Sequence, residues 1–133
     1  MEQTLSIIKP DAVERDLTDE IKSIFVKNNL KVKDSKKIHI SRDEAAEFYK
    51  EHQSKPFYND LCTYLSSGPI VVMILEGDSA VSLNRKIMGA TDPKKAEENT
   101  IRKLYGISID KNSVHGSDSL ENAKKEINFF FNI

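Results

Sequence analysis

Cysteine is nearly missing from this chain. Cys62 is the one thiol in 133 residues, so no internal disulfide can form and a disulfide-stapled extracellular scaffold is excluded. A strong net charge is missing too: twenty basic residues stand against twenty-one acidic ones, which leaves no global field to draw the chain to nucleic acid or an anionic membrane. Any polyanion it binds must be small and locally recognised. No apolar run reaches the length of a bilayer span, and "MEQTLSIIKPDAVER" has neither the basic start nor the long apolar stretch of a secretory signal. These absences point to a reducing cytoplasm and no membrane partner. Repeats and low-complexity blocks are lacking as well. What is there is 38% hydrophobic and 31% charged, enough for one real core with no room for a second, so residues 1–133 are expected to form a single domain.

Along the chain, "TLSII" (4–8) alternates polar and apolar and runs into a loop at Lys9-Pro10, as a strand would. From Thr18, a candidate N-cap, Ile21, Ile24 and Phe25 share a helical face that ends near Asn28-Asn29. "LKVKDSKKIHI" reads as a long strand with Val32, Ile38 and Ile40 inward and room for a bulge in its charged middle. "SRDE" is a capping box, Ser41 with Glu44, opening a helix through Ala45, Phe48 and Tyr49 to about His52. After Lys55-Pro56 a second helical piece, "YNDLCTYLSS", stops before Gly68. "PIVVMILEG" is short, apolar and β-branched, a strand buried on both faces. A capped helix over "DSAVSLNRKIMG", a polar loop broken by Pro93 and a turn of helix from Thr100 to Tyr105 precede the irregular "GISIDK". Val114-His115 suits a short edge strand, and "DSLENAKKEINFFF" places Leu120, Ala123, Ile127, Phe130 and Phe131 on one helical stripe. This order suits an α+β domain of split β-α-β type, with an antiparallel four-stranded sheet and helices on one face.

Of the three histidines, His39 sits in a strand between isoleucines and His52 ends an acidic helix, settings in which an imidazole faces solvent or caps. His115, in "NSVHGSDS", has only small neighbours around its ring, and an unperturbed imidazole keeps the large neutral fraction that a nucleophile needs. Spacing alone still favours a solvated loop histidine over a catalyst. A protein-built metal site is not expected, because no second histidine or cysteine stands at ligand spacing.

The blocks "IIKPDAVER", "KPFYNDL", "SGPIVV", "NRKIMGATDP", "NTIRKLYG" and above all "NSVHGSDS" resemble, in order and nearly in spacing, the signature blocks of the nucleoside diphosphate kinase family. The resemblance spans almost the whole chain. It implies a ferredoxin-like domain that moves a γ-phosphate from a nucleoside triphosphate to a diphosphate through a phosphohistidine, with Mg²⁺ carried mainly by the nucleotide phosphates. By the same resemblance His115 is the nucleophile, Glu126 orients its ring with help from Ser117, and Tyr49 approaches it. Arg85, Arg102 and Thr91 would hold phosphates, Lys9 would reach phosphate and ribose, Asn112 the sugar hydroxyl, and Phe57 would stack on the base. Each has an ordinary alternative: a solvated charge, a helix cap, a turn former, or for Phe57 a side chain packed under its loop. ATP and other nucleoside tri- and diphosphates are the implied partners, together with further copies of the chain, as tetramers or hexamers built from dimers.

The chain departs from the family pattern in places. Asp16 and Asp19 replace glycines, which raises strain if those positions need positive φ, and Leu104 replaces an acidic residue. Many relatives continue past "FFFN", so Phe129 or a neighbour is expected to be covered by a subunit interface. A different class, a nucleotide-binding regulatory module of the same fold without turnover, is opposed by the intact Lys9, Arg85, Arg102, His115 and Glu126. Nucleic-acid binding by Lys31, Lys33, Lys36 and Lys37 is opposed by the absence of interleaved aromatics.

Overall fold

The computed structural model describes residues 1–109 and 111–132; Asp110, in the irregular "GISIDK" segment, and Ile133 lie outside the described residues. Four strands, β1 (Glu2–Ile8), β2 (Lys31–Ile38), β3 (Ile70–Gly77) and β4 (Val114–Gly116), form one sheet in the order β2-β3-β1-β4. Every neighbouring pair is antiparallel. This is the split β-α-β order, and the short strand that carries His115 lies at an edge, as its three residues and polar flanks suggest. The helices are α1 (Pro10–Glu14), α2 (Thr18–Lys27), α3 (Arg42–Phe48), α4 (Tyr58–Leu65), α5 (Ala80–Met88), α6 (Ile101–Tyr105) and α7 (Leu120–Phe131).

The helices cover both faces of the sheet, which corrects the one-sided arrangement expected from element order. Alternation within β1 and β3 decides the partition. Ile8, Val71, Met73 and Leu75 pack with Ile21 and Phe25 of α2 and with Ile87 and Met88 of α5. Leu5, Ile7, Val72 and Ile74 pack on the opposite face with Ala45 of α3, Cys62 and Leu65 of α4, and Ile127 and Phe130 of α7. The hydroxyls of Thr4 and Ser6 are therefore fully buried as well, although the alternation marks them as polar. Each large apolar side chain closed off in this way contributes about 1.5–3 kcal/mol.

Local signals act as the sequence predicts at several points. Ser41 and Glu44 close the capping box at α3, and the register of β2 slips between Val32 and Asp34, placing a bulge in the charged middle. Elsewhere tertiary structure overrides them. Thr18 is the first helical residue of α2 and not its cap, which is Leu17. The residues after Lys9 form α1 with Pro10 in the first turn, where the ring's fixed φ is helical and the missing N–H is no loss. The helix expected to reach His52 ends at Phe48 and continues as a 3₁₀ turn over Lys50–His52. Ser79, at positive φ, does not cap α5; the Glu2 carboxylate accepts from the Val81 N–H at 3.1 Å. Leu120 leaves the expected stripe and is 55% exposed, while Ala123, Ile127 and Phe130 are buried.

Candidate active site

β4 brings His115 to the rim of the sheet opposite Ile7, on the face covered by α3 and α7. Its Nε2 lies 3.0 Å from Oε1 of Glu126 on α7, and that same oxygen accepts a 2.7 Å hydrogen bond from the Ser117 hydroxyl. An ionised carboxylate only accepts, so Nε2 carries the proton and Nδ1 keeps the lone pair. Phe48 meets the ring at 76° with centroids 5.4 Å apart, an edge contact that limits its rotation. Gly116 allows the close approach of α5 from the other side: a Cβ there would lie 2.3 Å from Nδ2 of Asn84 and 2.7 Å from Cε of Met88.

A polar cavity of about 230 Å³ opens in front of the ring. Tyr49, Arg85, Thr91, Arg102, His115 and Glu126 line it, so six of the sequence-predicted residues converge here from distant parts of the chain. Arg102 is 9% exposed; its Nη1 donates to the Gly89 carbonyl at 3.0 Å and its Nη2 to the Val114 carbonyl at 2.9 Å. Burial, and then repulsion from Arg85, pull its pKa down to about 10. Two guanidinium groups that disfavour each other form a site that an anion would relieve. Tyr49 is buried, and the loss of water around it, reinforced by the Glu126 charge, raises the phenol pKa, which keeps it a neutral hydrogen-bond donor.

The other predicted residues lie just behind or beyond the cavity. Ser117 is buried beneath Glu126. Lys9 Nζ donates to Oδ1 of Asn112 at 2.9 Å, and Asn112 Nδ2 donates to the Thr91 carbonyl at 3.1 Å, so the pair backs one wall through Thr91. Phe57 is 45% exposed, with its ring 6.1 Å from that of His52, which lies 6.1 Å from Tyr49. That exposure contradicts packing under the loop.

Sequence reasoning missed part of this wall. His52, dismissed as a helix end, lines the cavity with Glu51 and Asp118; its i, i+3 relation to Tyr49 was the available signal. Asn122 Nδ2 bonds the Asp118 carboxyl at 2.6 Å and, with Arg85 nearby, holds it below the usual carboxylate range. His39, by contrast, bonds the Ser66 carbonyl at 2.8 Å away from the cavity. Two lysines of the basic strand are engaged internally, Lys33 with Glu76 at 3.3 Å and Lys36 with the Phe130 carbonyl and the Phe131 ring.

Fold and cavity together describe an α+β protein built to bind a small anion beside a tautomer-fixed imidazole. The family model for nucleoside diphosphate kinase matches residues 2–133. Curated nucleoside diphosphate kinases from Nitratiruptor sp. and Wolinella succinogenes are each 56% identical over 131 residues, covering 98% of this chain and 96% of theirs. Crystal structures of nucleoside diphosphate kinases from Encephalitozoon cuniculi and Aquifex aeolicus superpose with a TM-score of 0.95 at 39% identity, covering 98% of this chain and 89% and 94% of theirs. The chain belongs to the nucleoside diphosphate kinase family. Its activity is accordingly that of a nucleotide-binding transferase, a kinase acting on nucleoside phosphates.

Proposed function

We propose that the exchange proceeds by two half-reactions through a phosphohistidine on His115, within a single domain over residues 1–133. The observation that carries this is the Glu126 bond to Nε2, which leaves Nδ1 as the nucleophile. Its lone pair forms the N–P bond to the γ-phosphorus while the bond from that phosphorus to the β,γ-bridging oxygen breaks, and the electron pair leaves on the nucleoside diphosphate. The Nε2 proton stays in place, so the ring becomes cationic against Glu126. Transfer between a triphosphate and a diphosphate is nearly isoenergetic, and an N–P bond stays high in energy where a serine ester would be a sink. A β-phosphate oxygen of the acceptor diphosphate then attacks the same phosphorus and frees Nδ1.

Loose phosphoryl-transfer transition states require positioning and positive charge more than covalent chemistry. Arg85 and Arg102 supply charge, Thr91 a further contact, and Lys9 with Asn112 approaches ribose and phosphate. Tyr49 donates toward the reacting phosphate beside His115. Mg²⁺ fits this donor set as a passenger on phosphate oxygens, with Glu51 and Asp118 the wall carboxylates that would face its water shell; when bound it neutralises phosphate charge. Phe57 offers the base a stacking surface that accepts purines and pyrimidines alike. The open edge of β2 and the partly exposed Phe129 support assembly into a homo-oligomer, a tetramer or hexamer built from dimers. The site of action is the cytoplasm.

The test of the nucleophile is incubation with γ-labelled ATP, which should leave acid-labile, base-stable label that GDP or CDP removes. His115→Ala should abolish the label and slow exchange by about a thousandfold or more. Label persisting in that variant would refute the assignment.

A further inference from the structure

Behind Lys9 and Asn112 lies a polar cluster that the phosphoryl chemistry does not touch, built around the buried Asp11 and Ser113 with Tyr64 half-buried and Arg15 exposed. Asp11, the second residue of α1, is 6% exposed. One of its carboxylate oxygens accepts from the Tyr64 hydroxyl of α4; the other accepts from the Ser113 hydroxyl at 2.9 Å and from Arg15 Nη2 at 3.1 Å. The Tyr64 oxygen in turn accepts from the Asp11 N–H at 2.9 Å, and Arg15 Nη2 also donates to the Tyr105 carbonyl at 2.6 Å. Burial, followed by the hydrogen bond to Asp11, raises the Tyr64 phenol pKa, so its proton stays on that bond.

The cluster is tied to the two residues proposed to hold the ribose. Lys9 directly precedes α1, and its N–H donates to the Ser113 carbonyl at 2.8 Å. Asn112 directly precedes Ser113, which is held at φ 76° while the Val114 N–H turns back to the Asn112 carbonyl at 3.0 Å. A non-glycine residue in that region is strained and persists only where its surroundings over-determine it. Taking a carboxylate out of water is costly, and an apolar contact would join α1 to α4 with less penalty. A short, multiply bonded charge instead fixes direction as well as distance.

We infer that Asp11, Arg15 and Tyr64 form a positioning unit that sets Lys9 against Asn112 and thereby determines how strongly the enzyme requires the ribose 3′-hydroxyl. The inference rests on the ribose role proposed for Lys9 and Asn112. None of the three residues touches substrate; each acts through the backbone of Lys9 or of Asn112 and Ser113.

The experiment compares kcat/KM for ATP and for 3′-deoxy-ATP as phosphoryl donors in the wild-type protein, Asp11→Asn and Tyr64→Phe. Wild type should favour ATP. Both variants should lose about ten- to a hundredfold with ATP, the scale of a sub-ångström to one-ångström misplacement. Their losses with 3′-deoxy-ATP should be at least about fivefold smaller than with ATP, because the hydroxyl contact is already gone and only the phosphate contact of Lys9 can still be misplaced. If Asp11→Asn does not fold, Tyr64→Phe, which removes one hydroxyl, carries the comparison alone. Parallel losses with both donors would mean general support of the fold and would overturn the inference, as would unchanged discrimination. A wild-type protein indifferent to the 3′-hydroxyl would overturn the ribose role itself, and this inference with it.

Discussion

Replacing Glu126 by glutamine separates the two things this carboxylate does for His115. The 3.0 Å bond to Nε2 sets the tautomer, and the negative charge faces a ring that becomes cationic in the proposed transfer to Nδ1. Glutamine keeps an acceptor oxygen at the same reach and loses the charge. A hydrogen bond to a charged group contributes roughly 1.5–3 kcal/mol against about 0.5–1.5 for a neutral pair, so the change removes about 1–1.5 kcal/mol. At 1.4 kcal/mol per decade, His115 phosphorylation should slow about five- to twelvefold. Glu126→Ala removes the acceptor as well, strands the Ser117 hydroxyl and lets the ring proton move to Nδ1, so a loss of about a hundredfold or more is expected. Quench-flow with γ-labelled ATP, stopped in base, reads this step directly. Glu126→Gln within twofold of wild type, or as slow as Glu126→Ala, would refute the division into charge and tautomer.

Three further outcomes follow from particular contacts. Arg85→Ala and Arg102→Ala should each lower turnover by about one to three orders of magnitude, the scale of losing an electrostatic donor, with unchanged activity in the folded variants returning both to surface charges. Asp16→Gly should raise stability by about 0.5–1 kcal/mol, because the aspartate sits at φ 62°, whereas Asp19→Gly should lower it by about 1 kcal/mol, because Asp19 lies in the first turn of α2; denaturant titration gives both signs. Gly116→Ala drives a methyl into Asn84 and Met88 and should cost about 1–3 kcal/mol while displacing His115, visible as a drop in melting temperature together with slower labelling.

The two aspartates also show how far the sequence carries and where it stops. Both stand where the family resemblance leads one to expect glycine, and the strain this raises as a question materialises at Asp16 alone, because whether a position needs positive φ depends on how α1 hands over to α2. The split β-α-β class was legible from the order of elements, and the edge position of β4 from its shortness. The second layer of helices was not, since the polar positions Thr4 and Ser6 in β1 look like a solvent face and are buried all the same. His115 stood out through its block, and the structure places it in the cavity. The Tyr64 and Arg15 partners of Asp11 were not, because they lie 53 residues away and one helical turn on, and nothing in either local pattern marks a buried carboxylate.

The placement of His115 suits the nucleophilic role proposed for it. A loop histidine, the simpler account of "NSVHGSDS", would sample orientations faster than any substrate could select one. In β4 the ring instead hangs from a strand bonded to β1, with α7 supplying the acceptor for Nε2, α3 the aromatic edge and α5 the packing behind Gly116. Four elements from separate parts of the chain therefore hold one imidazole, and each does so through a regular segment of backbone. An exchange between substrates of nearly equal energy has no driving force to offset misalignment. Its rate must come from a nucleophile already aimed, and the small polar flanks that made His115 look like a loop residue leave the space in which that aim is used.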